Sequence, residues 1–315
     1  PVGSVILGGS VPALITSWEW PDGCVPFYKI KPLGKKFAKS FTEAGSPGHI
    51  YRLVYNALEQ ALRLPETTGA VDPRLTLDGA HHFLLPAFFE TLDSLHRTKR
   101  NFSLVIRSYG SDGAAVSDAL RAWAEGAHPT VRGVTSLAPC ASASWRAEYA
   151  DDGSFTLRPQ ASDGGVVEAG RVLSESAAVT MMEAIGDPPS RPRATLCRDD
   201  YSWWKKHACM PSSGKPLWLT LGDSSAHHLF FDDNIHNDAN DSIVAVRVRE
   251  SAEAPFAAAT GEATRRLHGI CLVRCPTLEP ILRTSWFLER IDAAEREREK
   301  RFNTTAKQLS LLEAC

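Results

Sequence analysis

The sequence predicts an α/β fold built around a parallel sheet, on three observations. Helix, apolar strand, polar turn and helix follow one another within residues 86–124. An apolar run over 227–231 ends in two adjacent carboxylates, Asp232 and Asp233. Another apolar run, 242–248, follows the acid pair. Strands that alternate with helices in this way are typical of parallel sheets, whose carboxyl edge is where ligands bind.

The clearest α/β unit begins with a helix from Pro86 to about Arg97. Proline is favoured in a first helical turn because its missing N–H would have no partner there. The apolar run 102–106 predicts a buried strand. The polar turn that begins at Ser108 then leads into a helix that ends near Ala124.

Composition excludes several classes of protein. The 315 residues carry a net charge of −2, whereas general nucleic-acid binding needs a basic surface, so no nucleic-acid partner is expected. No apolar run reaches the ~18 residues of a membrane span. The seven cysteines include no C-x-x-C pair, which argues against a disulfide framework or a zinc site and favours a reducing, cytoplasmic location.

The acid pair is the first candidate site. Two carboxylates at the end of a strand repel each other unless a proton or a cation relieves them. Mg²⁺ prefers oxygen ligands, so Asp232 and Asp233 are candidate metal ligands. The alternative is a loop in which the acids only make turn and cap hydrogen bonds.

Two further residues could hold phosphate. Ser108, with Gly110 in the same turn, follows a strand and precedes a helix, where hydroxyl and backbone N–H groups can bind an anion. Ser108 could instead be a helix cap. Lys215 precedes the strand that ends in the acid pair and could offset phosphate charge, although most lysines lie on the surface.

The order of these pieces resembles the haloacid dehalogenase superfamily of phosphohydrolases. The strand that ends at Ser108 is similar to the second motif of that family, Lys215 to its third and Asp232-Asp233 to its fourth. Lys205 and Lys206 compete for the third motif. The resemblance covers about residues 84–126 and 214–250.

The resemblance implies a Rossmannoid three-layer α/β/α parallel sheet with inserted caps, and a Mg²⁺-dependent phosphatase acting on a small phosphorylated molecule. It implies that Ser108 and Lys215 are catalytic and grip phosphate oxygens, with Gly110 and Asn234 also binding substrate. Asp232 and Asp233 would hold Mg²⁺. Asp238 is a further candidate for supporting the metal.

One departure concerns the first motif of the family, an Asp-x-Asp after an N-terminal strand, which supplies the nucleophile and the general acid/base. The sequence has none after an apolar strand, and Asp78 lacks a second acid two residues on. Either the motif lies upstream of Pro1, which we favour, or the protein has lost catalysis and binds a ligand or a partner. A third interpretation is an unrelated α/β protein.

The expected organisation follows from the resemblance and from composition. It consists of an N-terminal core segment at 1–19, a helical cap at 20–80, a core unit at 81–129, an insertion or second cap at 130–213, and a core with a C-terminal helix at 214–315. Within that insertion, residues 145–157 are predicted to form a hairpin that turns at 151–153. Residues 191–213 are predicted to be loop-like.

Overall fold

The computed structural model describes residues 23, 30–37, 39–66, 70–138, 144–160, 172–183, 193–220, 226–236, 242–251 and 253–313. The predicted core segment 1–19 and Asp238 lie outside this part of the chain. None of the helices in the ranges just given is both long and apolar enough to cross a membrane.

The described residues form an α/β structure. The helices are α1 (Lys31–Phe37), α2 (Arg52–Leu62), α3 (Pro86–Arg97), α4 (Gly113–Ala124), α5 (Glu175–Glu183), α6 (Tyr201–Lys206), α7 (Gly261–Arg266), α8 (Glu279–Leu282) and α9 (Trp286–Glu313). The strands are β1 (Ser103–Ser108), β2 (Ser144–Tyr149), β3 (Phe155–Pro159), β4 (Leu173–Ser174), β5 (Arg193–Arg198), β6 (Lys215–Thr220), β7 (Phe230–Asp232), β8 (Val244–Arg249), β9 (Ala257–Ala258) and β10 (Leu272–Arg274).

The largest sheet has five strands in the order β1-β5-β2-β3-β4. The first three strands are parallel, and β3 and β4 are antiparallel additions at one side. The predicted hairpin between β2 and β3 is confirmed, with Gly153 in the left-handed region at φ 82°. Parallel pairing brings the carboxyl ends of β1, β5 and β2 to one edge.

The strands from β6 onward form two smaller sheets. β6 pairs in parallel with β8, to which β9 adds an antiparallel strand, and β7 pairs in parallel with β10. Both strands predicted around the acid pair are present. The predicted start of the first one at 227 is wrong, because β7 comprises only Phe230–Asp232. Parallel strands in all three sheets confirm the predicted α/β class.

The two faces of β1 are covered by different layers. On one face, Leu104 and Ile106 pack against a cluster from α3 and α4 that includes Phe89 and Trp123. On the other face, Val105 packs against a cluster that includes Trp218 of β6 and residues of α5. Since successive side chains of a strand point to opposite faces, each polar residue at the end of β1 belongs to one of these two environments.

Residues 191–213 are not the predicted loop, because they contain β5 and α6. The strand β5 lies between β1 and β2, and its residues Ala194–Cys197 are buried. A strand covered on both faces shows no polar alternation, and four residues are too short a run to stand out. Strands β2 to β5, all from 130–213, belong to the same sheet as β1. The division into domains stays a prediction.

Candidate functional site

Lys215 and Asp232 are brought together although 17 positions separate them. The ammonium Nζ of Lys215 lies 2.8 Å from Oδ2 of Asp232, and their side chains are 7% and 10% exposed. Lys215 begins β6 and Asp232 ends β7, so the pair joins two sheets. The lysine is thus a buried partner of a carboxylate and does not lie on the surface.

Close backbone packing fixes where Lys215 sits. A Cβ on Gly214 would come within 2.1 Å of the carbonyl oxygen of Ile243, so only glycine fits there without displacement. The backbone N–H of Lys215 then donates to that same carbonyl at 2.7 Å. On the opposite side, the N–H of Cys275 donates to the carbonyl of Asp232 at 3.0 Å, which anchors the end of β7.

Asn234 closes the loop after the acid pair. Its backbone N–H donates to Oδ1 of Asp232 at 2.9 Å, and its side-chain amide donates to Oδ1 of Asp233 at 3.1 Å. The pKa of Asp233 is raised by partial desolvation of its carboxyl group and then by the negative charge of Asp232. Burial, followed by the charges of these two acids, raises the pKa of Cys275 to about 12. Asn234 therefore ties both carboxylates to the same short loop.

Tyr109 is a member of this centre that the sequence analysis missed. The ammonium of Lys215 lies 5.1 Å from the centroid of its ring, a distance at which a cation is attracted to an aromatic face. The ring also stacks on Trp204, with centroids 5.1 Å apart. Burial raises the pKa of Tyr109, and its buried hydroxyl has no hydrogen-bond partner among the described residues. Its only signal in the sequence is its place beside Ser108.

The two tryptophans of α6 pack this helix against tyrosines that follow β1 and end β2. Trp204 stacks on Tyr109, and Trp203 stacks on Tyr149 with centroids 5.1 Å apart. The competing lysines of the third motif, Lys205 and Lys206, are both exposed, and Lys206 pairs with Asp151 of the hairpin turn. Of the three candidate lysines, Lys215 alone contacts the acid pair in the described residues.

A second buried ion pair, between Arg107 and Asp199, lies next to Lys215. The two side chains are 8% and 2% exposed, and Arg107 Nε donates to Asp199 Oδ2 at 3.0 Å. Arg107 also donates to the carbonyl of Pro216 at 2.6 Å and lies 5.5 Å from the ring centroid of Phe230. It therefore joins β1 and β5 to the strands that carry Lys215 and Asp232. An arginine inside an apolar strand is a sequence signal, because buried arginines are nearly always paired.

Ser108 lies on the other face of β1, and its hydroxyl makes only local hydrogen bonds in the described residues. It donates to Oδ1 of Asp112 at 2.7 Å and accepts from the N–H of Gly110 at 2.9 Å. A Cβ on Gly110 would meet the Asp112 carboxylate at 2.5 Å. Both residues line a cavity that contains neither Lys215 nor Asp232.

The fit of the site to Mg²⁺ depends on the chemistry of its donors. Asp232 and Asp233 offer adjacent carboxylates, but no group of three His, Cys, Asp or Glu residues in the described part of the chain could hold a metal. Magnesium commonly binds one or two carboxylates, with water and substrate phosphate as its other ligands. The pair fits a site in which protein carboxylates, water and substrate phosphate together bind the metal. It does not fit a site closed by protein ligands alone.

Asp78 occupies an exposed turn. Its carboxylate accepts hydrogen bonds from the N–H groups of Ala80 and His81 and contacts the ring of His81 at 2.7 Å. These bonds hold its pKa low, the contact with His81 contributing most.

Comparison of the chain with protein-family models, with curated proteins and with solved structures finds no match.

Proposed function

We propose that the protein is a haloacid dehalogenase-like, Mg²⁺-dependent phosphoric ester hydrolase that acts on a small phosphorylated molecule. The observation that supports this proposal is the buried contact between Lys215 and Asp232 at the carboxyl end of β7. Sequence resemblance names these residues as the third and fourth motifs, and their spacing of 17 residues does not by itself require contact. Convergence of a cation and an acid pair at a strand end is suited to phosphate chemistry.

Each residue has a separate role in the proposal. Asp232 and Asp233 hold Mg²⁺, which supplies charge stabilisation to the phosphoryl group when bound. Lys215 orients Asp232 and offsets phosphate charge. Asn234 holds both carboxylates through its backbone and side-chain N–H groups. The phosphate contacts of Ser108 and Gly110 stay predictions, because both residues face the separate cavity.

A non-catalytic binding protein is the second candidate. Both carboxylate oxygens of Asp232 already accept hydrogen bonds within the chain, from Lys215 and from Asn234. The sequence contains no Asp-x-Asp after an apolar strand to supply a nucleophile. A protein of this kind would bind Mg²⁺ and phosphate without turnover.

Turnover by the full-length protein separates the two candidates. Hydrolysis of a generic phosphate ester would be measured with Mg²⁺ and with EDTA, for the wild type and for Asp232→Ala. Glu262→Gln, an exposed acid on α7, is the control. The hydrolase proposal expects Mg²⁺-dependent turnover that Asp232→Ala abolishes and Glu262→Gln retains. Turnover that survives Asp232→Ala unchanged would rule out the metal assignment, and absence of turnover in the wild type would favour the binding protein.

A further inference from the structure

The cavity on the Ser108 face of β1 is a polar pocket outside the Lys215–Asp232 centre. It lies between the carboxyl ends of β1 and β5, the first residue of β2, Ser144, and the loop that enters α4. Its volume is about 100 Å³, several times the roughly 10–15 Å³ that a cavity needs to hold one water molecule. A phosphate- or carboxylate-sized group therefore has room there.

Strand register places the cavity residues in two rows. Ile106, Leu196 and Ser144 are aligned across β1, β5 and β2, and they form the floor. Two residues nearer the carboxyl ends of β1 and β5, Ser108 is aligned with Arg198. Arg198 is aligned in turn with Arg146, which does not itself line the cavity. Paired positions on neighbouring strands direct their side chains to the same face, so the charged and polar row stands above the floor of Ile106, Leu196 and Ser144.

Arg198 supplies the positive charge. It lines the cavity, it is exposed, and its guanidinium has no hydrogen bond or ion pair with any residue that the structure describes. Its register partner Arg146 is also cationic, and its nearest acid, Glu148, is 3.6 Å away. Like charges opposite each other destabilise a sheet. An oxyanion bound to Arg198 would offset this repulsion.

The remaining lining residues indicate which further groups of a ligand the cavity could bind. Asp112 already accepts from Ser108, and a carboxylate has about four lone-pair sites, so Asp112 can accept a second hydrogen bond. Gln160 and Ser144 add an amide and a hydroxyl to the lining. A ligand with one oxyanion and a neighbouring hydroxyl or amino group matches this arrangement.

We infer that this cavity is a binding site for a small oxyanion, a phosphate or a carboxylate, that also carries a hydrogen-bond donor. Arg198 binds the anionic group and Asp112 accepts from the donor. Lys215, Asp232 and Asp233 do not line the cavity, so binding there needs neither the lysine nor the metal of the proposed phosphatase. Of the residues assigned to that phosphatase, only Ser108 and Gly110 also line the cavity.

Calorimetric titration without Mg²⁺ tests the inference, with inorganic phosphate, glycerol 3-phosphate and glycolate as probes. Arg198→Met should weaken the binding of every oxyanion about tenfold or more, because a charge-assisted hydrogen bond is lost. Arg132→Met, which removes an exposed arginine outside the cavity, should leave binding unchanged. The wild type should bind glycerol 3-phosphate more tightly than inorganic phosphate, because Asp112 accepts from a hydroxyl of the glycerol. Asp112→Asn should reduce this difference in affinity. Comparison of glycolate with glycerol 3-phosphate shows whether carboxylate or phosphate binds better.

Lys215→Met assigns the binding to one of the two sites. Binding that persists in Lys215→Met and is lost in Arg198→Met supports the cavity. Binding that depends on Lys215 and is insensitive to Arg198→Met overturns the inference and leaves the proposed phosphatase untouched. Absence of binding by the wild type at millimolar concentrations of all three probes also overturns it. Circular dichroism of each variant confirms that the fold is retained.

Discussion

The two faces at the carboxyl end of β1 differ in how their charges are compensated. On the face towards β6 and β7, Arg107 pairs with Asp199, and Lys215 pairs with Asp232, all with side chains that are at most 10% exposed. On the opposite face, Ser108 lines an open cavity in which Arg198 has no partner among the described residues. One strand end therefore carries a closed, internally neutralised site and an open polar one.

This difference teaches what burial requires of a charged group. A buried charge without a partner is very costly, so the closed face must compensate each charge within the chain. Water compensates an exposed charge at little cost, so the open face can keep a guanidinium available for a ligand. On the closed face, removal of one member of an ion pair affects stability. On the open face, removal of the guanidinium affects ligand binding.

The largest effect is expected from Arg107→Met. The variant leaves the Asp199 carboxylate buried without its cation, and removal of one partner of a buried pair typically costs about 3–5 kcal/mol. The carbonyl of Pro216 also loses a hydrogen bond. The free energy of unfolding, from urea titration followed by circular dichroism, measures the loss. The double variant Arg107→Met/Asp199→Leu should recover part of it, and a loss under 1 kcal/mol in the single variant would contradict a buried pair.

A somewhat smaller loss, about 2–4 kcal/mol, is expected from Lys215→Met. Asp232 loses its cation but keeps the hydrogen bond from the N–H of Asn234. A double-mutant cycle with Asp232→Asn, measured by urea unfolding, should give a coupling energy of about 1–3 kcal/mol. Additive losses would mean that the two side chains do not interact in solution. Lys205→Met, which changes an exposed lysine, is the matched control.

Mild acid should destabilise the helical layer behind the open face. His128 stacks on His82 with centroids 5.2 Å apart, and burial, followed by the charge of His82, lowers the pKa of His128 to about 4. The folded protein therefore keeps His128 neutral while the unfolded chain takes up a proton near pH 6.5. Its contribution is complete above that pH and is lost as the pH falls towards 4.

Urea unfolding at pH 7.5, 5.5 and 4.5 measures this dependence. Asn at position 128 can still accept from the N–H of Val131, as the ring does at 3.1 Å, but it does not titrate. The His128→Asn variant should therefore show a shallower decline between pH 7.5 and 4.5. An identical decline in the variant and in the wild type would show that His128 titrates normally.

The smallest effect is expected from Ser108→Ala. The hydroxyl donates to Asp112 and accepts from the N–H of Gly110, and loss of such a local hydrogen bond costs about 1 kcal/mol. The coupling energy between Lys215 and Asp232 should stay unchanged, because Ser108 lies on the other face of β1. Repetition of the double-mutant cycle in the Ser108→Ala background checks this. A changed coupling energy would show that the two faces communicate.

Local sequence signals predicted the elements that local chemistry determines. Pro86 and the apolar spacing after it gave α3 with both bounds correct, and the turn at Gly153 gave the hairpin of β2 and β3. The strand before Asp232 was also predicted, because an apolar run that ends in acids is visible without knowledge of the neighbouring strands.

Features that depend on distant pairing were harder to predict. The sequence predicts a loop where β5 lies, since the position of this strand between β1 and β2 follows only from the completed sheet. The pair of Arg107 with Asp199, 92 positions away, could not be read from either residue alone. The contact of Lys215 with Asp232 was anticipated only through motif order. The separation of Ser108 from Lys215 and Asp232 follows from side-chain alternation in β1, which turns Ser108 and Arg107 to opposite faces.

The most direct test of the proposed phosphate centre is the dependence of phosphate affinity on Mg²⁺. Calorimetry in an Arg198→Met background removes the contribution of the cavity. The proposal predicts that Mg²⁺ tightens the binding of inorganic phosphate about tenfold or more, that Asp232→Asn abolishes this gain, and that Glu262→Gln retains it. Phosphate affinity that does not respond to Mg²⁺, or a gain that is unchanged in Asp232→Asn, would contradict it.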